Sequence, residues 1–231
     1  DFNDDFRWID VASELAFMAM DLHAHGLSGL AHRFVNGYLE ASDDYDAVQV
    51  LDYYLVHRAL IRAKVALLRA LQCGGQPAGA DEAERQRLAA DRYLALALRF
   101  SRLDPAGTPP LLLLTHGWSG SGKSTAAQRL VESRGAVRIR ADVERKRLAG
   151  LQPLDRAPAG TQPDLYSAAT TAATYDRLNR LAVPVLRGGY PVVLDATFLR
   201  LAQRQAARAV AAKQGAGCRI LDLQVDVDVA R

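Results

Sequence analysis

Residues 117–125 read Gly117-Trp118-Ser119-Gly120-Ser121-Gly122-Lys123-Ser124-Thr125, a glycine followed, after four intervening residues, by Gly-Lys-Ser. The residue types matter as much as the spacing. Glycines allow successive backbone N–H groups to converge on phosphate oxygens, and a helix opening at that point adds partial positive charge. The lysine can bridge the outer phosphates of a nucleotide, and the hydroxyl that follows it can ligate Mg²⁺. The segment from Gly117 to Thr125 therefore predicts a site for ATP, with Lys123 on the phosphates and Ser124 on the metal. Trp118 either packs on the nucleotide side of the loop or only stiffens it; its position fits both.

A second group of residues could decide where the terminal phosphate goes. Arg140-Ala141-Asp142-Val143-Glu144-Arg145 follows directly on an apolar, strand-like run. In a parallel α/β sheet the carboxyl ends of the strands open onto the ligand crevice. Asp142, just past such an end, could accept the proton of an acceptor hydroxyl as it attacks the γ-phosphate. Arg145, one helical turn on, could hold an anionic or polar acceptor. The alternative for Asp142 is N-cap of a helix beginning at Val143. Asp195 closes the run Val192-Val193-Leu194. There it would make a water-mediated Mg²⁺ contact or an acceptor contact, or simply end a strand. The segment Gln152–Thr161 could cover an acceptor, with a plain surface loop as the alternative. His116 reads as a packed strand-end residue. His23, His25 and His32 have no carboxylate or cysteine at ligand spacing, so they are not read as a metal site.

These residues need elements to position them. Leu111–Thr115, Val137–Arg140, Pro191–Leu194 and Cys218–Val225 read as strands. Between them lie helices ending near Ser133, starting at Val143, covering Leu165–Arg187 and covering Leu199–Lys213. Strands alternating with helices predict a parallel sheet with helices on both faces. Residues 1–103 read instead as helices. Trp8, Val11, Leu15, Met18 and Leu22 mark one face of the first, stopped by Gly26. The second runs from Leu27 to Leu39. The third runs from Asp43 or Asp44 to Gln72, with Val48, Leu51, Leu55, Leu60, Val65 and Leu68 on its buried side. Asp81 caps the fourth and pairs with Arg85. Residues 104–110, rich in Pro, form the linker. The fold expected is thus an α/β P-loop NTPase sheet with flanking helices over 111–231, preceded by an all-α lobe over 1–103.

Composition bounds the alternatives. The chain has 231 residues, 49% apolar and 24% charged, which excludes a disordered or collagen-like chain. No apolar run approaches the ~20 residues that span a bilayer, so no membrane association is expected. Cys73 and Cys218 are too few and too distant for a disulfide framework, and a reducing cytoplasm is the easier setting. The net charge of +3 is unevenly spread: residues 1–104 carry 11 Lys and Arg against 16 Asp and Glu, residues 105–231 carry 18 against 10. A basic second half suits an anionic ligand such as a nucleotide. The chain begins with Asp1, and both ends read as cut from a longer protein.

Gly117–Thr125, Arg140–Leu148 and Val192–Phe198 together resemble the small P-loop kinases of the AAA-family-like group that includes gluconate kinase, polynucleotide kinase and the zeta toxins. The resemblance covers residues 111–231. It implies that Asp142 is the base activating the acceptor hydroxyl and that Arg145 contacts the acceptor. It also implies lid arginines and a final strand with an adenine-contacting loop, beyond the strand that ends the present sequence. Residues 1–15 resemble the last part of an aminoglycoside-phosphotransferase-like domain, and the helices through His57–Lys64 suit the helical lobe of that fold. That resemblance implies a catalytic loop preceding Asp1, with Asp10 either bracing it or merely starting a helix.

The reading is an ATP- and Mg²⁺-dependent kinase acting on a small hydroxyl-bearing acceptor. Three alternatives stand beside it: an ATPase module that drives a partner, an aminoglycoside phosphotransferase, and a polynucleotide kinase. The basic half permits nucleic acid, but no basic patch with interleaved aromatics offers stacking for bases, so a small molecule ranks first.

Overall fold

The structure, a computed structural model, describes residues 8–75, 79–101, 109–152, 155 and 165–224. Most of Gln152–Thr161 lies outside the described residues. The chain divides into two compact units, Asp1–Val35 with Val50–Gly107, and Asn36–Gln49 with Thr108–Arg231. Among the described residues no helix is long and apolar enough to cross a membrane.

The first unit is built from α1 (Val11–Ala24), the first half of α2 (Ser28–Ser42), most of α3 (Val48–Gly74) and α4 (Ala80–Phe100). Asp10 starts α1 as its N-cap, accepting from the Ala12 amide at 2.9 Å, while its other oxygen accepts from the Tyr54 hydroxyl at 3.0 Å. Gly26, at φ 75°, turns the chain after α1. The large apolar residues mark the packed faces only in part. Trp8, Val11 and Met18 are exposed, and α1 buries Ala12, Leu15, Ala16, Ala19 and Met20. On α3, Val48, Leu51 and Leu55 are buried as expected. The stripe then continues through Ala59, Ala63, Ala66 and Ala70, leaving Leu60, Val65 and Leu68 exposed. Small side chains let helix backbones approach closely, so alanine can hold the contact face while leucine lies outside it. Helix α4 begins at Ala80 with Gly79 as N-cap, not Asp81. That shift puts Asp81 and Glu82 in the first turn, and it is Glu82, not Asp81, that pairs with Arg85 at 2.6 Å.

The second unit is a four-stranded, all-parallel sheet of β1 (Leu111–His116), β2 (Val137–Arg140), β3 (Val192–Asp195) and β4 (Gly217–Asp222) in the order β2-β3-β1-β4. Helices α5 (Lys123–Arg134) and α7 (Ala168–Arg187) pack against β1, β2 and β3, and α8 (Leu201–Lys213) packs against β1 and β4. Helix α6 (Ala141–Leu148) follows β2 without a break and packs on α7. Strand β3 is buried along its whole length, as an apolar strand covered on both faces must be. This is the P-loop NTPase α/β fold preceded by helices that the alternating pattern predicts. The chain leaves β1 for one side of the sheet and later crosses to β4 on the other. The end of β1 is therefore a topological switch point, the place where open α/β sheets form a ligand crevice.

Asn36–Gln49 belongs to this second unit, although its sequence reads as part of the helical lobe. Helix α2 ends at Ser42, Asp43 turns the chain at φ 65°, and a short 3₁₀ turn, Tyr45–Ala47, packs against α7.

Candidate phosphate site

The glycine-rich loop hangs between two strand ends that one buried side chain ties together. Thr115, near the end of β1, donates its hydroxyl to the Ala196 carbonyl at 2.7 Å and accepts from the Ala196 amide at 3.1 Å. Beyond it the Gly117 amide donates to the Thr197 carbonyl at 3.4 Å. Gly117, Gly120 and Gly122 take φ of 136°, 83° and 80°, which side-chain-bearing residues rarely adopt. Gly122 is the N-cap of α5, so Lys123 and Ser124 form that helix's first turn. Its unpaired amides and dipole face the loop.

Lys123 is only 9% exposed. Its ammonium donates to the Trp118 carbonyl and, at 3.3 Å, to Ser121 Oγ. Burial lowers its pKa from the usual lysine value, and the Asp195 carboxylate opposes that shift. Ser119, Gly120, Ser124 and Thr125 are exposed along the loop and first turn, as is the Trp118 ring at 76%. The exposed ring stands clear of the core, so Trp118 does not stiffen the loop by burial.

Asp195 ends β3 in register with Arg140 at the end of β2. Its side chain is buried, and Oδ2 has no hydrogen-bond partner among the described residues. A buried carboxylate oxygen left unpaired is costly, yet this one interacts electrostatically with Lys123 and Arg138. Together with the Ser124 hydroxyl it supplies hard oxygen donors, the chemistry Mg²⁺ prefers. The residues present therefore fit that ion.

Helix α6 starts at Ala141 with Arg140 as N-cap, and no side chain caps it. Asp142 is thus inside the first turn, and the capping alternative fails: the helix begins two residues before Val143. The Asp142 carboxylate is half exposed and lies 3.4 Å from the Lys146 ammonium. The Arg145 guanidinium carbon lies over the Tyr166 ring, 4.8 Å from its centroid, with Nε buried and without a hydrogen-bond partner among the described residues. One face of α6 thus carries an accessible carboxylate and, a turn further, an arginine placed over an aromatic ring.

Three further contacts bear on the site. Glu144, between the two candidate residues, is completely buried and accepts from Arg147 at 2.5 Å and Arg177 at 2.6 Å. Its (i, i+3) spacing to Arg147 was a visible signal; Arg177, 33 residues away, was not. His116 Nδ1 lies 2.7 Å from Asp222 across the β1–β4 pair, so this strand-end residue is half exposed and bonded at the mouth of the loop. Tyr175 bonds Thr197 at 3.1 Å and the Phe198 amide at 3.2 Å, fixing the segment after β3. In the other unit, His23 stacks edge-on against His32 and Phe100 and bonds Ser28 at 3.0 Å.

Residues 112–231 match the AAA_33 family, described as an AAA domain. Two mycobacterial relatives, Uncharacterized protein Mb2027c of Mycobacterium bovis and Uncharacterized protein Rv2004c of Mycobacterium tuberculosis, are each 34% identical over 212 residues. That stretch covers 92% of this chain and 40% of each relative, so the chain spans less than half their length. No solved structure matches it. With a strand, a glycine-rich turn and a helix in the order that phosphate binding requires, the chain belongs to the AAA_33 family of P-loop NTPase-like AAA domains.

Proposed function

We propose that the second unit is an ATP-binding kinase that passes the γ-phosphoryl group to a hydroxyl of a small-molecule acceptor. One observation carries the reading: Asp195 brings a buried carboxylate oxygen, unpaired among the described residues, into the electrostatic reach of Lys123.

The loop from Gly117 to Thr125 would hold the phosphates through its backbone N–H groups, with Lys123 supplying positive charge. Ser124 and Asp195 would hold Mg²⁺, which when bound neutralises charge on the phosphates. Asp142 would accept the acceptor's hydroxyl proton. A bond then forms between that oxygen and the γ-phosphorus, and the bond from phosphorus to the ADP oxygen breaks. Arg145, placed over Tyr166, would orient the acceptor. The reaction is set in the cytoplasm. The helical unit is read, on resemblance alone, as part of an aminoglycoside-phosphotransferase-like lobe.

The test follows label from γ-labelled ATP with Mg²⁺ over a panel of sugar acids, aminoglycosides and 5′-hydroxyl oligonucleotides. Label is expected on an acceptor, and both Lys123→Ala and Asp142→Asn are expected to abolish it. Label released only as free phosphate would replace the kinase with a hydrolytic module. Full transfer by Asp142→Asn would remove that residue's role as base.

A further inference from the structure

We propose that Asp43, acting through Arg177 on Glu144, is a positioning residue for α6, so that Asn36–Gln49 is a working part of the kinase unit; this rests on the function proposed above. The segment lies outside residues 112–231, which the family match covers, yet it makes the polar contacts that fix β2 and α6.

The contacts begin at the sheet edge. In the order β2-β3-β1-β4, β2 is an edge strand, and an edge presents backbone groups with no neighbour. The Arg138 amide finds one in Asn36 Oδ1 at 2.6 Å. Beside it Arg140 pairs with Glu40 at 3.1 Å. The same segment then reaches α6. Arg147 donates to the Glu40 carbonyl and to the Ala41 carbonyl at 3.4 Å, while its other nitrogen bonds Glu144. Arg177, on α7, donates to Glu144 through Nε and to Asp43 through Nη2.

Glu144 is therefore a completely buried carboxylate that two arginines satisfy, and Asp43 partners both of them, lying 3.6 Å from Arg147. Burial works against the Arg177 charge, but its bonds to Glu144 and Asp43 outweigh that and raise its pKa. A buried carboxylate that loses a cation is strongly destabilised, so the arrangement resists partial disassembly. Asp43 also holds φ 65°, a left-handed conformation that Asp and Asn adopt more readily than other side chains. Asp43 suits both demands of the position, the turn and a carboxylate that meets two arginines.

The geometry gives this a consequence for the reaction. Glu144 lies between Asp142 and Arg145 on one helix of eight residues. Fixing its side chain fixes the rotation of α6 about its axis, and so the directions in which Asp142 and Arg145 project. Phosphate binding depends on a different element, the loop leading into α5. Loosening the clamp should therefore slow transfer without weakening nucleotide binding.

The experiment uses the full chain with Asp43→Asn, which keeps shape and backbone tolerance but removes the charge, and Asp43→Glu, which restores it. Amide hydrogen exchange is followed in α6 and α5, together with kcat and KM for ATP with water as the acceptor. Asp43→Asn is expected to speed exchange in α6 about tenfold while leaving α5 unchanged. The kcat is expected to fall about tenfold with KM for ATP within about twofold, and Asp43→Glu to recover most of both. Unchanged α6 exchange, equal loosening of α5, or an unchanged kcat with loosened α6 would each overturn the proposal. If Asp43→Asn does not fold, Arg177→Lys, which cannot fork to both carboxylates, carries the same comparison. If the wild-type chain does not turn over ATP with water, the exchange pattern decides by itself whether Asp43 holds α6; the kinase reading falls separately, on the acceptor panel, where label passing to no acceptor or to water alone would sink it.

Discussion

At Gly117 a Cβ would lie 2.5 Å from the Leu223 carbonyl oxygen and 2.9 Å from Ser121 Oγ, at a φ of 136°. Backbone and loop would both have to move. Gly117→Ala is expected to cost about 1–3 kcal/mol and to weaken ADP binding, measured by thermal unfolding and calorimetric titration. Asp195→Asn tests the other wall of the site. If Asp195 shares Mg²⁺ with Ser124, the gain in ATP affinity on adding Mg²⁺ should shrink about tenfold, while affinity in EDTA changes little. The phosphate loop was legible because its function needs contiguous residue types, and the chain writes them in one run. Asp195 was legible because it ends an apolar run. Asp43 and Arg177 were not, since only the fold brings residues 134 positions apart into one ion pair.

Elements were legible to the extent that their pattern is local. All four strands lie where apolar runs predict them, within a residue or two except at the end of β4. Hydrophobic periodicity places Leu15 of α1 and Val48, Leu51 and Leu55 of α3 correctly but misses the rest of both faces, because it weights large side chains whereas these faces turn on Ala12, Ala16 and Ala19, and on Ala59, Ala63 and Ala66. Packing among α1, α2 and α4 also carries a pH dependence. His23 is half-buried against His32 and Phe100, and burial, then the nearby His32 and Arg99, lowers its pKa from 6.5 to about 4. The folded state thus holds His23 neutral where the unfolded chain would protonate it. Its contribution is intact above pH 6.5 and is lost as pH falls from there to about 4. Unfolding temperature should decline across that window. His23→Gln should flatten the decline while lowering stability at neutral pH.

On the scale of the whole molecule the two units interleave along the chain: Asn36–Gln49 belongs with the sheet, and Val50–Gly107 is then inserted before the sheet begins. The composition shift near residue 104 is real, but a boundary drawn from composition cannot see a short polar segment that packs elsewhere. A chain trimmed to Thr108–Arg231 should therefore unfold at a lower temperature than the full chain. It should also self-associate more, because the outer edge of β2 loses Asn36; light scattering beside a thermal melt checks both. The same interleaving fixes an order of events during synthesis. Asn36 leaves the ribosome 102 residues before the strand amide it caps, and Asp43 leaves 134 residues before Arg177. At ribosomal speeds the second interval lasts about 7–27 s. Throughout it Glu40, Asp43, Asp44 and Asp46 must remain in water, and their charge suits them to wait there. The nascent sheet closes its outer edge with a piece of chain made long before it, so the unit matures only after α7 has emerged.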